Sequence, residues 1–388
     1  MKAFIEEWKL LISGKMVFVM LLVPIVVAVA FGFVFKNNQL NDASVAVVDL
    51  DHSSYSRQLI NKLDASQYID VRHVQENEAD PNLLLYNEKF FAVIYLPAGL
   101  EENRIKGVQS NIGFYVDNTV GQATGNLRSA VTEIMATENA MLAGGGLKGM
   151  GMSDSQVTGL TSNMLLQQRL LYNPTNATLM TSVMGFINTV MISLISATVL
   201  TIVPRLREQG RLKEELQHSY SLIFRVLPYA LVGCVSFYLS IGLLKQIGGL
   251  RFEANVWQLS IPFFLYTITL SLFAMVLGWN AANPEKASSR LMLIILPSFL
   301  LSGAQLPVAM LPPSLQYVSN ILPLTWHFKF LRGMGFKGGS LKYFIPELGG
   351  FLVLLSGLLL IIFILIALEK RKLAKSENTS VVVEPVMQ

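Results

Sequence analysis

Chemistry in this chain must come from few residues, because 14% of its 388 positions are Asp, Glu, Lys or Arg while 52% are hydrophobic. The most concentrated polar group is Arg207-Glu208-Gln209-Gly210, continued by Arg211-Leu212-Lys213-Glu214-Glu215-Leu216. Leu206, Leu212 and Leu216 can rest on a membrane while Arg207, Glu208, Glu214 and Glu215 face water, which suits an ionic coupling contact and equally a solvated connection. Asp49, Asp51 and His52 could hold a cation, but a strand followed by Asp and Ser is the ordinary way to cap a helix. His52, His73, His218 and His327 fall in separate segments without ligand spacing, so no metal site is read. Gly144-Gly145-Gly146-Leu147-Lys148-Gly149 is glycine-rich, yet the Lys-Ser/Thr pair of a phosphate loop is missing. ATP hydrolysis by the chain itself is therefore not expected, and no paired nucleophile and base points to an intramembrane enzyme.

These groups are set among apolar runs at 16–35, 177–204, 226–244, 254–284, 291–328 and 348–368. A bilayer core takes roughly 20 apolar residues to cross, so the fold class expected is a polytopic α-helical membrane protein with six transmembrane helices, one before a large polar insert and five after it. Lys2 and Lys9 ahead of the triplet Ala28-Val29-Ala30 have the look of a signal peptide, but the apolar run continues past the triplet and an uncleaved anchor fits better. The cores of the spans are read as free of the carboxylates and histidines that serve ion-coupled carriers as relays, with Glu253, Glu285 and Glu347 at ends. Energy for moving anything must then come from another polypeptide.

The net charge of +4 is segregated and gives no reason to expect nucleic acid, since residues 36–169 hold ten Lys/Arg against fifteen Asp/Glu. Connections on one side carry thirteen basic residues, among them Lys2, Lys9, Lys15, Arg205, Arg207, Arg211, Lys213, Lys286 and Arg290, against six on the other. The positive-inside rule then puts both termini in the cytoplasm and the insert outside. Cys234, the single cysteine, lies in the third run, so the external domain is expected to hold together without a disulfide.

The expected order is a cytoplasmic amphipathic helix (1–15), the first transmembrane helix (16–35), an extracytoplasmic α/β domain with a helical hairpin (36–177), a five-helix transmembrane domain (178–368) with a broken external segment (303–330), and a cytoplasmic tail (369–388). Phe4, Ile5, Trp8, Leu11 and Ile12 recur at helical spacing with Glu6, Glu7 and Lys9 between them, as in a helix lying on the inner membrane face. In the insert, strands are read at 44–49, 68–74, 90–96 and 111–116, with helices at 55–63 and 81–88. Two longer helices follow, 119–142 ended by the glycine triplet, and 155–171 running into Tyr172-Asn173-Pro174. They could pair as a hairpin.

Two patterns in the later runs concern a pathway. Residues 291–328 carry no formal charge but contain Ser302-Gly303, Pro307, Pro312-Pro313 and Pro323, a density that no unbroken span tolerates. Irregular backbone at membrane depth must be buried in protein or line a cavity, so an external gate is expected here. In the second span Thr178, Ser182, Gly185, Thr189, Ser193 and Ser196 make a stripe of small, weakly polar residues, with Ser298 and Ser302 a shorter one on the fifth. Such stripes pack helices within one subunit or between two.

Three matches resemble the membrane subunits of type-2 ABC exporters, in the bacterial branch with a large extracytoplasmic domain between spans one and two. They are Arg169-Leu170-Leu171-Tyr172-Asn173-Pro174; Phe299-Leu300-Leu301-Ser302-Gly303 with Pro307, Leu322-Pro323-Leu324-Thr325 and Arg332-Gly333; and Arg207-Glu208-Gln209-Gly210. The last departs from the family pattern after Gly210, where relatives commonly continue with Thr-x-Glu. The resemblance implies a permease (no enzyme itself) in a bacterial inner membrane. It also implies ATPase coupling through Arg207, Glu208, Gly210, Glu214 and Glu215, and a gate of Gly303, Pro307, Pro323, Thr325 and Arg332. The stripes of spans two and five would then face a dimer axis and the transport path. No cofactor is implied on this chain; ATP and Mg would sit on a partner ABC ATP-binding subunit. Further partners implied are a second permease subunit, the same or different, a periplasmic adaptor protein and the lipid bilayer. The exported substrate would be small and amphiphilic, lipid or drug-like, as in multidrug efflux. The rival reading is a membrane-anchored extracytoplasmic receptor or surface protein that moves nothing.

Overall fold

A computed structural model of the chain describes residues 1–36, 42–86, 89–117, 121–161, 171–173, 177–218 and 220–383, apart from the side chains of 121–123, 159–161 and 375–383. Two units emerge, Met1–Asn38 with Ala177–Gln388, and Gln39–Asn176.

The first unit begins with α1 (Lys2–Ser13), whose four-residue spacing brings Ala3, Glu7 and Leu11 to one buried face while Ile5, Leu10 and Ile12 stay exposed. Lys15, at φ 56, turns the chain into α2 (Met16–Val34).

In the second unit, β1 (Ala43–Asp49) is buried at every position, as a central strand covered on both faces must be. It is followed by α3 (Ser54–Asp64), β2 (Ile69–Gln75), α4 (Pro81–Leu85), β3 (Ala92–Leu96), α5 (Leu100–Lys106) and β4 (Gly113–Val116). The strand order is β2-β1-β3-β4, with β1 parallel to β2 and β3, and β3 antiparallel to β4. Val45, Val47 and Ile94 pack with Leu59 and Leu63 of α3, and with Leu127 and Val131 of α6 (Gly121–Gly149). Ala46, Val48 and Val93 face Leu84, Leu85 and Phe90 on the other side. Asp49 accepts from Ser56 Oγ at 2.7 Å and from the Asp51 and His52 amides, while Ser53 and Ser56 form a capping box on α3. Asp51 in turn accepts from Ser53 Oγ and from the Glu101 amide, so both carboxylates are engaged in the turn around the α3 cap.

The glycine triplet was expected to end the first long helix, yet α6 runs through it to Gly149. Its partner explains this: α7 (Asp154–Thr161) packs back on α6, and a Cβ at Gly144 would sit 3.4 Å from Val157 Cγ1. The rest of the expected 155–171 helix, and Arg169 and Pro174 of the first matched motif, lie outside the described residues.

The remainder of the first unit starts with a π-helical turn (Leu179–Val183) that feeds α8 (Met184–Val199), followed by α9 (Ile202–Glu208), α10 (Leu212–Gln217), α11 (Ser221–Gly248) and α12 (Val256–Gly278). Then come α13 (Pro284–Ser288), α14 (Met292–Leu301), α15 (Pro313–Ile321), α16 (Pro323–Phe330) and α17 (Ile345–Val383). Among the described residues, five helical stretches are long and apolar enough to cross a membrane: Met16–Val34, Leu179–Glu208, Ser221–Gly248, Val256–Gly278 and Leu341–Ala374. Phe18, Leu22 and Val26 of α2 and Val353, Leu360 and Ile364 of α17 are exposed, which in a polytopic helical membrane protein is surface for lipid. α11 packs on α2 at close range, since a Cβ on Gly248 would lie 3.2 Å from Gly32 Cα.

The charge-free 291–328 run is broken where its glycine and prolines stand. Gly303 follows α14, Pro307 precedes a 3-10 turn (Val308–Met310), and Pro313 and Pro323 open α15 and α16 at their first positions, where a missing N–H costs nothing. A second π-helical turn, Leu331–Phe336, extends α16.

Candidate coupling site

The segment α9–α10 turns at Gly210, whose φ of +68 suits glycine. Glu208, Gln209, Gly210, Lys213 and Glu214 are exposed on one side. Leu206, Leu212 and Leu216 are buried in the core of the helical unit instead of resting on a membrane surface, because α9 packs against α12 and α13, and α10 against α11 and α17. Arg207 also turns inward. Its guanidinium donates to the Ala281 carbonyl at 2.9 Å, the Trp279 carbonyl at 3.2 Å and Glu369 Oε1 at 3.2 Å. Of the five residues expected to couple an ATPase, Glu208, Gly210 and Glu214 face outward, whereas Arg207 and Glu215 are committed to contacts inside the unit.

Glu215 leads to a buried ion cluster. It accepts from Ser221 Oγ and from Arg225, which stands in the first turns of α11 with its side chain 1% exposed. The same guanidinium donates to Glu7 Oε2 and to Glu6 Oε2, both at 2.8 Å. Glu7, fully buried, also accepts from Arg205 and from Tyr229 Oη at 2.8 Å, and Arg211 donates to Glu6 Oε2 at 2.8 Å. Three carboxylates and three guanidiniums from α1, α9, α10, α11 and the turn at Arg211 therefore neutralise one another, with Glu7 and Arg225 buried at the centre and Glu6 and Arg211 at a solvent-reached edge. Hydrogen bonds from Arg211 and Arg225 hold the Glu6 carboxyl below its ordinary value. Burial pushes Glu215 up, but hydrogen bonds from Arg225 and Ser221 outweigh it and leave this carboxyl lowered as well.

In the broken segment expected to form a gate, Gly303 has φ +88, and a Cβ there would come within 3.2 Å of Val308 Cγ2. Its carbonyl accepts from Arg332, whose guanidinium also lies 5.4 Å from the Phe328 ring centre. Thr325 Oγ1 donates to the Ser319 carbonyl at 2.6 Å, and Pro323 is buried beside it. Pro307 opens the 3-10 turn.

Along the stripe, Thr189 and Ser193 donate to Gly185 and Thr189 carbonyls one turn back, each at 2.8 Å. Gly185 packs against Ala304 and Gln305 beyond α14, Ser196 and Ser298 are buried, Ser302 is buried near the turn, and Thr178 and Ser182 are half-buried. One histidine, outside the five membrane-length stretches, is nevertheless buried in the helical unit. His327 is 1% exposed, stacked on Tyr266 at 4.5 Å between the edges of Phe237 and Phe263, because α16 folds against α12.

The family model for ABC-2 family transporter proteins matches residues 15–368, nearly the whole chain. The chain belongs to the ABC-2 transporter family. Curated relatives include the inner membrane transport permease YhhJ of Escherichia coli (strain K12) and that of Shigella flexneri. Each is 24% identical over 357 residues, covering 88% of this chain and 90% of the relative. Membership makes this ABC-2 protein a membrane permease subunit and not itself an enzyme, implies an ATP-binding partner subunit, and agrees with a multi-pass inner membrane protein.

In this ABC-2 protein, Glu6, Glu7, Arg225 and Tyr229 are the polar residues that sequence reasoning missed. Arg225 immediately precedes an apolar run and reads as a flank, and its partners Glu6 and Glu7 lie more than 200 positions away. One local signal did exist, since Glu7 falls four residues from both Ala3 and Leu11 and so shares their buried face.

Proposed function

We propose that this ABC-2 protein is the permease of an ATP-driven exporter, working as a dimer of membrane subunits with separate ATP-binding subunits that hold ATP and Mg. The observation that carries this reading is the α9–α10 segment, which presents Glu208, Gly210 and Glu214 outward while Arg207 and Glu215 fasten it to the helices behind. A closing ATPase pressing on the outward residues would push on elements already joined to α1, α11 and α17. The distribution of basic residues supports cytoplasmic termini and an extracytoplasmic Gln39–Asn176 unit, for which α6 is the natural contact with a periplasmic adaptor. The mild polarity of α8 and α14, where the Thr189 and Ser193 hydroxyls are satisfied along α8 while those of Ser196 and Ser298 have no partner among the described residues, suits a small amphiphilic, lipid or drug-like substrate leaving past the Gly303–Arg332 turn. Co-expression with its ATP-binding subunit tests the reading. Charge reversal at Glu208 together with Glu214 should reduce co-purification of that subunit without loss of membrane insertion; undiminished co-purification would make the segment a mere connection.

A further inference from the structure

We infer that Arg225 is the positioning residue that makes the amino-terminal helix and the coupling segment move as one body, an assignment that rests on the coupling role proposed for α9–α10. The geometry is specific. One guanidinium, 1% exposed, reaches Glu6 and Glu7 on α1 and Glu215 on α10, each through its terminal nitrogens. The planar fork of arginine can serve several carboxylates at fixed angles, whereas a lysine ammonium is a point charge that would favour one of them. Around it, Arg205, Arg211, Tyr229 and Ser221 complete the coordination of the same carboxylates, so each acid is held from two directions. Arg225 itself lies at the start of α11, directly after the coupling segment, and α11 packs on both α1 and α2.

Three structural elements thus meet on one side chain, and two of them, α1 and α10, contribute only carboxylates to it. Like charges repel, so without Arg225 the acidic faces of α1 and α10 lose the cation that contacts all three carboxylates. Arg211 bridges the more exposed edge, donating to Glu6 and standing 4.0 Å from Glu215, but it leaves Glu7 untouched. Arg205 ties Glu7 to α9, so what depends on Arg225 is the buried link between α1 and α10. In the ATPase cycle its role is to pass a displacement of α10 to α1 without slippage.

The test uses spin-label pairs on the full chain with Cys234→Ala in nanodiscs, alone and with its ATP-binding subunit. Labels at Ile5 on α1 and Gln217 on α10, both exposed, report the junction, and a third site at exposed Val256 on α12 is the reference. In the parent, the Ile5–Gln217 distance should be one narrow population, unchanged between nucleotide-free and ATP-vanadate-trapped complex, while both labels shift together relative to Val256. With Arg225→Lys, trapping should shift Gln217 but not Ile5 against the reference, and the Ile5–Gln217 population should broaden. A second variant guards against misfolding: Arg225→Met with Glu215→Met replaces a buried pair by apolar volume, which cores accept, while Glu7 keeps Arg205 and Glu6 keeps Arg211. Apolar contact is non-directional, so here too the two labels should part on trapping. Concerted shifts retained in either variant overturn the assignment. If the parent labels do not respond to trapping although the ATP-binding subunit is bound, the coupling role has failed, and broadening in the chain alone still decides the positioning role.

Discussion

Glu6 and Glu7 are neighbours on α1 with the same charge, and the structure predicts that neutralising them has unequal consequences. Glu7 is fully buried and accepts from Arg205, Arg225 and Tyr229. Glu7→Gln keeps the volume but leaves two guanidiniums short of charge and points an amide donor at one of them. Breaking a buried pair from one side costs about 3–5 kcal/mol. The Glu6 side chain is 40% exposed, so water can replace what Glu6→Gln removes, and the cost should be about 0–1 kcal/mol. Thermal unfolding of the detergent-solubilised protein, followed by tryptophan fluorescence, separates the two. At roughly 2–4 °C per kcal/mol, Glu7→Gln should lower Tm by about 6–20 °C and Glu6→Gln by no more than about 4 °C. Combining Glu7→Gln with Arg225→Met should be less damaging than the sum of the singles, by about 0.5–3 kcal/mol, because each removes the other's unpaired charge. Equal shifts for the two glutamates, or strict additivity with Arg225, would refute the account of the cluster.

Three further outcomes follow from the same geometry. Glu6 and Glu215 have carboxyls below the ordinary value of 4.5, so their stabilisation is present above that value and is lost as pH falls through the lowered ones. Tm should therefore be flat near neutrality and drop in acid, and Glu215→Gln should shrink the acid drop; an identical pH profile in that variant would contradict it. Gly303→Ala places a Cβ at φ +88 and against Val308, so it should cost more than the about 1–2 kcal/mol of a left-handed alanine alone, whereas Gly210→Ala at φ +68, with nothing within 4 Å, should cost only the backbone term. Comparison of the two Tm values checks the ranking. Gly185→Trp must displace Ala304 and Gln305, an overpacking of about 1–3 kcal/mol; if the stripe also lies on a dimer axis, cysteines at Thr189 or Ser193 should cross-link between subunits while Cys234 does not.

Much of this was legible because it is local. Strands of the Gln39–Asn176 unit, the Ser53 cap and the breaks at Gly303, Pro313 and Pro323 each follow from residue type and period. What escaped depended on distance. Pairing of β1 between β2 and β3 needs the tertiary layout, and the passage of α6 through Gly144-Gly145-Gly146 goes with α7 packed beside it at Gly144. His327 stood in sequence only as one of four scattered histidines, and its stacking on Tyr266 depends on α16 folding against α12. The five coupling candidates shared one short sequence segment, but sequence could not divide those facing outward from those facing in. That division is set by Glu369, Trp279 and Ala281 for Arg207, and by Arg225 for Glu215.

The two ends of the proposed exporter are built from different chemistry, and α11 relates them. Its first turns carry Ser221, Arg225 and Tyr229 into the ion cluster, where directional, charge-assisted hydrogen bonds fix orientation. Its last turn ends at Gly248, and the chain beyond it places Phe252 edge-on to Phe336 while the Glu253 amide donates to the Gly335 carbonyl at 2.8 Å. Gly335 and Phe336 belong to the π-helical turn that also contains Arg332, the residue on the Gly303 carbonyl. A path of packed helix and hydrogen-bonded backbone therefore runs from Glu215 to the turn after α14. The π-helical turn is the part of that path best able to change, because its i→i+5 bonding is less favourable than the α-helix around it and such turns concentrate at functional sites. Contiguity alone does not establish transmission. If α11 carries the displacement, motion at α10 alters the Arg332–Gly303 contact. Trapping the ATP-binding subunit should change the reactivity of a cysteine placed at Val308, and that response should disappear with Arg225→Lys; persistence of the response would assign transmission to another helix.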